Sequence, residues 1–108
     1  MANTFKNQYT NLGTSNSDVV TAIASGTGIV LTLRCTNVDG ANDATVTVEV
    51  VDGSSGDAKI ASTLSVPADT TVELAGTSKI VLETGDKIQA LASASGDIEV
   101  FASYLNIT

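Results

Sequence analysis

Histidine and tryptophan are absent from this 108-residue chain, and cysteine, methionine and proline each occur once. Without histidine, the commonest general base is missing, and every Ser-His-Asp or Cys-His arrangement is excluded. Catalysis would have to rely on carboxylates alone. Most of the 12 acidic residues, however, lie in or beside predicted turns, where aspartate commonly caps the local backbone. We therefore expect that the protein is not an enzyme and has no catalytic residues.

Sequence patterns for metals and cofactors are also missing. The acidic turns at residues 39–43 and 52–57 could offer oxygen ligands to Ca²⁺, but neither has the spacing of a known calcium loop. The step Gly26-Thr27-Gly28 lacks the third glycine and the lysine that nucleotide-binding loops need. Backbone turns account for these segments, so we expect no metal site and no cofactor.

Basic residues are few, with 5 against 12 acidic residues and a net charge of −7. Such a chain repels phosphate, and its basic residues are scattered, so nucleic acid is not an expected partner. The N-terminal segment lacks the apolar run of a signal peptide, and no later run reaches the roughly 20 residues of a membrane span. We expect neither secretion by that route nor a membrane partner. The single cysteine, Cys35, fits a reducing cytoplasm and is expected to be a small buried hydrophobe.

What the chain does have is the pattern of β-strands. From residue 17 onward, short runs rich in Val, Ile, Thr and Leu are separated by Gly, Asp, Asn and Ser, with a turn signal about every 8 to 12 residues. This pattern is typical of an antiparallel sandwich or a small barrel. It predicts an all-β fold, an antiparallel β-sandwich of about eight short strands, either jelly-roll-like or immunoglobulin-like. Residues 17–108 are predicted to form this single domain.

Two predicted strands show the alternation most clearly. Residues 44–51 alternate valine with polar residues, which predicts a half-buried strand. In the preceding strand, over residues 29–38, the set expected to face the core is Ile29, Leu31, Leu33 and Cys35. An Asp-Gly step between the two strands favours a tight turn, so we predict an antiparallel hairpin with Arg34 and Glu49 facing outward.

The first sixteen residues differ from the rest of the chain. They are rich in asparagine, and their only sizeable apolar groups are Phe5, Tyr9 and Leu12. Residues 1–16 are predicted to be either an edge strand or an N-terminal arm that becomes ordered against a neighbour. An apolar residue that a small core cannot reach can be buried in a partner, which makes Phe5, Tyr9 and Leu12 candidate partner contacts. The alternative is that these residues pack on the domain itself.

The order of features along the chain also matches a known type of protein. A valine-rich strand follows an Asn-Val-Asp-Gly turn, a later strand ends at Pro67, and the block Leu-Glu-Thr-Gly-Asp-Lys-Ile occupies residues 82–88. Over residues 28–108 this order resembles small virion structural proteins of tailed bacteriophages, of the capsid decoration or cement type. Within the block, Gly85 is expected to allow a tight turn that Asp86 caps.

The resemblance implies a β-sandwich localised to the virion and assembled in the cytoplasm of the bacterial host. The implied partners are the major capsid protein or other virion proteins, and further copies of the chain in an oligomer such as a trimer. A second interpretation places the protein in the neck, the tail or the fibre base. A third, from another class, is a carbohydrate-binding or adhesin-like module, which would need exposed aromatic rings. The chain offers Phe5, Tyr9, Phe101 and Tyr104, and at least one of the last two is expected in the core.

Overall fold

The computed structural model describes residues 2–53, 56–76 and 78–108, so Ser54 and Ser55 of the predicted turn at 52–57 lie outside it. Within these ranges the chain forms nine strands and no helix, and therefore no helix that could cross a membrane. The strands are β1 (Asn3–Asn11), β2 (Ser17–Val20), β3 (Thr27–Asn37), β4 (Ala44–Asp52), β5 (Gly56–Val66), β6 (Thr71–Glu73), β7 (Ile80–Leu82), β8 (Lys87–Ala92) and β9 (Ile98–Ile107).

The strands form two antiparallel sheets. Sheet A has the order β1-β9-β3-β6, with β7 also paired to β3, and sheet B has the order β2-β8-β4-β5. If β6 and β7 are taken as one interrupted strand, each sheet has four strands, and all connections except β4–β5 and β6–β7 cross between the sheets. This is the strand order of a jelly roll. It is not that of an immunoglobulin domain, because there the last two strands lie side by side in one sheet, whereas β8 and β9 lie in different sheets. The predicted antiparallel sandwich is confirmed.

The two sheets pack face to face through small aliphatic side chains. Strand β9 shows the arrangement plainly, because alternate residues are buried along its whole length: Ile98, Val100, Ala102, Tyr104 and Asn106. The largest fully buried side chains are leucine, isoleucine and valine: Leu12, Leu33, Leu82, Ile88, Ile98, Val19, Val20, Val30, Val46, Val48, Val66 and Val100. Of the two aromatic residues in β9, Tyr104 is 8% exposed and belongs to the core, whereas Phe101 is 41% exposed.

A β-bulge in β3 reverses the alternation of buried and exposed residues. The register between β3 and β9 shifts just after Val30, which is buried, as are Leu33 and Cys35. Ile29 and Leu31 are partly exposed, so the prediction that they face the core is wrong. A bulge inserts one unpaired residue into a strand, and the unbroken apolar alternation of this segment gives no sign of it.

The connection between β3 and β4 is an arch, and the prediction of a hairpin is wrong. β3 belongs to sheet A and β4 to sheet B. The buried side chain of Asn37 holds the arch, because its Nδ2 donates to the carbonyls of Asn42 at 3.0 Å and Val66 at 2.9 Å. Asp39 caps it by accepting the N–H of Ala41 at 2.8 Å. Turn-forming residues favour either connection, since both need only local capping of the backbone.

Residues 3–11 form an edge strand of sheet A, which is the first of the two alternatives for the N-terminal segment. β1 pairs with β9 along its whole length. Beyond the strand, Ala2 and Thr108 continue the ladder through two backbone hydrogen bonds, at 3.1 and 2.9 Å. The chain then turns into the sandwich at Leu12, whose N–H donates to the carbonyl of Ile98 at 2.8 Å.

Two charged side chains replace part of the ladder where β6 and β7 are interrupted. The Glu73 carboxylate accepts the N–H of Leu33 at 2.8 Å and the Nε of Arg34 at 3.3 Å. The Nζ of Lys79 donates to the carbonyl of Leu31 at 3.2 Å. Strand β3 therefore keeps hydrogen-bond partners along the stretch where its neighbouring strand is broken.

The block at residues 82–88 forms the turn that was predicted. Gly85 has a φ of +94°, a conformation that favours glycine. Asp86, only 6% exposed, accepts the N–H of Glu83 at 3.0 Å through Oδ2. Its Oδ1 accepts the N–H of Gly53 at 3.0 Å, which ties this turn to the end of β4. The capping role of Asp86 is confirmed.

Replacing Asp86 should destabilise the fold. The change Asp86→Ala removes the acceptor of two backbone N–H groups, and we expect the free energy of unfolding to fall by about 1 to 3 kcal/mol. Urea unfolding followed by circular dichroism measures this difference. Asp57→Ala, at an exposed position in β5, is the matched control and should unfold as the wild type does. Equal stabilities of the two variants would contradict the capping role.

The carboxylate of Glu73 should make stability depend on pH. Partial burial raises the pKa of Glu73, but hydrogen bonds from the N–H groups of Leu33 and Ala75, and the hydrogen bond and charge of Arg34, outweigh burial and lower it. A carboxylate with a lowered folded-state pKa stabilises the fold above its unfolded-state pKa of roughly 4.3, and this contribution is lost as the pH falls through the folded-state pKa.

We therefore expect Glu73→Gln to lower the free energy of unfolding at pH 7 and to make its decline toward acid shallower than in the wild type. Glutamine has no proton to gain, so this part of the pH dependence disappears. Urea unfolding across a series of pH values tests the expectation, with Glu83→Gln, at an exposed position, as the control. Identical pH profiles of Glu73→Gln and the wild type would show that Glu73 has no such role.

Candidate functional site

Each sheet has an outer face that points away from the core, and on sheet B this face is polar and internally paired. Glu49 lies outward, as predicted, but is only 7% exposed because neighbouring side chains cover it. Its carboxylate accepts hydrogen bonds from Gln89 at 2.7 Å and Lys59 at 3.2 Å, which lower the pKa of Glu49. Lys87 and Asp18 form a further ion pair at 2.9 Å. This face is suited to contact with water.

The outer face of sheet A is apolar over part of its area. Its side chains form rows that cross the strands, because paired residues on neighbouring strands lie side by side. One such row, called the apolar row here, consists of Phe5, Leu105, Ile29 and Val81. Phe5 is 74% exposed and Val81 is 60% exposed, and the two residues between them are partly exposed. Adjacent exposed apolar side chains of this kind mark interaction sites.

On β1, β9 and β3 the rows on either side of the apolar row carry no charge, whereas at the β7 end the exposed Lys79 and Glu83 lie two residues before and after Val81. Toward the chain termini lie Asn3, Ile107 and Thr27, and on the opposite side lie Asn7, Ser103 and Thr32. The centres of protein interfaces are depleted in charged residues, because burying an unpaired charge is costly. The part of the apolar row on β1, β9 and β3 therefore has uncharged surroundings, although the whole chain carries a net charge of −7.

A shallow depression, called the aromatic depression here, lies further along the same face. It has a volume of about 390 Å³, is open to solvent and is lined by Tyr9, Phe101, Arg34, Glu99, Thr36 and Thr71. The first three of these residues form one row across the strands, and the last three belong to the next row. Tyr9 is 58% exposed and Phe101 is 41% exposed, so both rings are accessible.

Hydrogen bonds hold the side chains of the aromatic depression in place. The Tyr9 hydroxyl donates to Oε2 of Glu99 at 2.9 Å, and this hydrogen bond is the main reason that the pKa of Tyr9 is raised. The hydroxyls of Thr36 and Thr71 are hydrogen-bonded at 2.9 Å. Arg34 is held by its ion pair with Glu73, whose carboxylate also accepts the N–H of Leu33. The depression is therefore preorganised while remaining accessible.

The three candidate contact residues have different positions. Phe5 belongs to the apolar row and Tyr9 to the aromatic depression, both on the outer face of sheet A. Leu12 has to be corrected: its side chain is 1% exposed and packs in the core, so it is not available to a partner. The chain passes inward at this point, at the end of the edge strand. Contact of Phe5 and Tyr9 with a partner stays a prediction.

The other members of both surfaces were not identified from the sequence. Leu105 and Val81 each occupy the outer face of a different strand, and Ile29 was assigned to the core. Their proximity depends on the strand order of the jelly roll and on the bulge in β3. The exposed ring of Phe101 was the one available signal, because only one aromatic residue of β9 was needed in the core.

The described ranges contain neither a cluster of metal-binding side chains nor a reactive thiol. In residues 2–53, 56–76 and 78–108, no group of three or more Cys, Asp or Glu side chains could hold a metal ion. Cys35 is fully buried, and burial, with a smaller contribution from the charge of Glu73, raises the pKa of its thiol to about 12. Such a thiol is protonated at neutral pH and unreactive.

No protein-family model matches the sequence, and no curated protein matches it. Solved structures similar to the fold include a chain of Bacillus endospore appendages, which form disulfide-linked pili, at 11% identity and a TM-score of 0.54, covering 97% of this chain and 86% of that one. Another is the Drosophila NLP-core, a structure that bears on pentamer formation and histone binding. It is 18% identical with a TM-score of 0.53, covering 99% of this chain and 98% of that one. At these identities the similarity shows the fold alone.

Proposed function

We propose that this chain is a virion structural protein of a tailed bacteriophage, a capsid decoration or cement protein that stabilises the head through protein-protein contacts. The observation that carries the proposal is the apolar row, which exposes large apolar side chains on the outer face of sheet A. Burial of apolar surface contributes about 25 cal/mol per Å², so covering this row by a partner is favourable. The virion assignment itself comes from the sequence resemblance over residues 28–108.

The chemistry of the two outer faces supports a protein that is bound on one side. A decoration protein has one face against the shell and another in water. The apolar row suits the first environment, and the paired carboxylates and amines of sheet B suit the second. In the proposal, sheet A faces the shell and sheet B faces the solvent.

The partners in this proposal are the major capsid protein or other virion proteins, together with further copies of the chain in an oligomer such as a trimer. Related folds occur in the pilus-forming and pentamer-forming proteins described above, so the jelly roll is compatible with assembly in many copies. Repetition over many sites would multiply the effect of one modest contact on the stability of the shell. Neither nucleic acid nor a membrane has a part in the proposal.

The apolar row can be tested with a double substitution. In Phe5→Ser/Val81→Ser the two most exposed side chains of the row lose their apolar surface. We expect affinity for particles that lack the protein to fall about tenfold or more, as in the loss of a central interface contact. Co-sedimentation of the purified protein with such particles, at a series of concentrations, measures the affinity.

The control places the same change on the other face. Val51→Ser/Leu91→Ser alters two partly exposed residues on the outer face of sheet B. Both double variants are checked for folding by circular dichroism. The proposal requires the control to bind as the wild type does, and binding that is lost only in the control would place the contact on sheet B instead.

Quantitative mass spectrometry of purified virions gives the copy number, and about a dozen copies per particle would indicate the neck or tail in place of the capsid.

A further inference from the structure

The aromatic depression places two exposed rings side by side. Tyr9 and Phe101 are paired residues on β1 and β9, and such pairs lie about 5 Å apart at Cβ. Neither ring is used by the core, since they are 58% and 41% exposed. Each exposed ring offers an apolar face against which the C–H face of a sugar ring can pack, because stacking uses the apolar face of the aromatic ring.

Polar groups with free hydrogen-bonding capacity surround the rings. Among the described residues, Arg34 donates only from Nε to Glu73, so its terminal Nη groups can donate to a ligand. Glu99 accepts the Tyr9 hydroxyl on Oε2, which leaves Oε1 able to accept. A pair of neighbouring sugar hydroxyls both donates and accepts, and it can therefore satisfy a guanidinium and a carboxylate placed together.

The charges of the site favour a neutral ligand. Arg34 is accompanied by the carboxylates of Glu73 and Glu99, and the whole chain carries −7, so an anionic ligand would be repelled. A basic ligand would meet the guanidinium of Arg34, and both nearby carboxylates already accept hydrogen bonds, Glu99 from Tyr9 and Glu73 from Arg34. A volume of about 390 Å³ lies within the range of roughly 300 to 1,000 Å³ that is usual for small-molecule sites.

From these observations we infer that the aromatic depression binds a neutral pyranose sugar, with the sugar ring on Tyr9 and Phe101 and its hydroxyls on Arg34 and Glu99. The hydrogen bonds that fix Tyr9 and Glu99 in the free protein reduce the entropy that binding would otherwise lose. This site does not depend on the proposed contact with a capsid. Tyr9 is the fourth residue after Phe5 along β1, a distance of about 14 Å, so the apolar row and the depression are separate surfaces of the same face.

Nuclear magnetic resonance on the complete ¹⁵N-labelled chain tests the inference. The probes are methyl glucoside, methyl galactoside, methyl mannoside and N-acetylglucosamine, with N-acetyl-lysine amide as a mimic of a partner's basic side chain. We expect saturable shifts for at least one sugar, confined to the backbone amides near residues 9, 34, 99 and 101 and to the Arg34 side chain. Phe101→Ala should weaken this binding about tenfold or more.

The matched control is Phe5→Ala, which removes a more exposed ring from the same face but outside the depression, and it should bind the sugar as the wild type does. Glu99→Gln keeps an acceptor for Tyr9 while removing the charge, and it should weaken binding with little effect on folding. The inference is overturned if no sugar produces saturable shifts, if only the lysine mimic does, or if Phe5→Ala and Phe101→Ala weaken binding equally. None of these outcomes alters the particle-binding test, which measures a different interaction.

Discussion

Close packing of two sheets through small aliphatic side chains is the constraint on which the rest of this structure depends. Facing sheets lie about 10 Å apart, and leucine, isoleucine, valine and alanine fill that space here with one tyrosine. The chain has only four aromatic residues, and three of them are left outside the core. Phe5, Tyr9 and Phe101 all lie on the outer face of sheet A. A sandwich that leaves its largest apolar side chains on one outer face presents a surface suited to binding.

The shape of the domain separates the two surfaces on that face. The longest strands have 11 residues and span about 37 Å, which only the 47 Å dimension of the 47 × 25 × 21 Å domain accommodates. The strands therefore run along the length of the molecule, and the apolar row and the aromatic depression occupy different positions along it. In the proposed arrangement, the apolar row contacts the shell, and the aromatic depression lies at a different position along the same face.

Much of the fold could be predicted from the sequence because alternation reports directly which strands have one buried face. Residues 44–52 form a strand nearly as predicted, since this segment presents a single unbroken pattern to a single core. β2 was not recognised as a separate strand: it has four residues, and a register shift places Val19 and Val20 both in the core. The bulge in β3 and the arch after it were not predicted either, because both depend on contacts between distant segments.

The candidate surfaces were predictable only in part. Phe5 and Tyr9 lie on an asparagine-rich edge strand with little core to cover their rings, and both are exposed, while their contact with a partner stays a prediction. Leu12, in the same segment, looks equivalent in sequence and is buried, since the chain direction changes there. The partners of Phe5 across the sheet come from three other strands. Only the register between strands brings them together.

Hydroxyl-radical footprinting of the chain, free in solution and bound in purified virions, tests the central claim that the apolar row on the outer face of sheet A is the surface buried by a partner. We expect oxidation of Phe5 and Leu105 to fall strongly in the virion while that of Leu91, on the outer face of sheet B, stays unchanged. Equal oxidation of Phe5 in the two states, or protection of Leu91 in its place, would contradict the account.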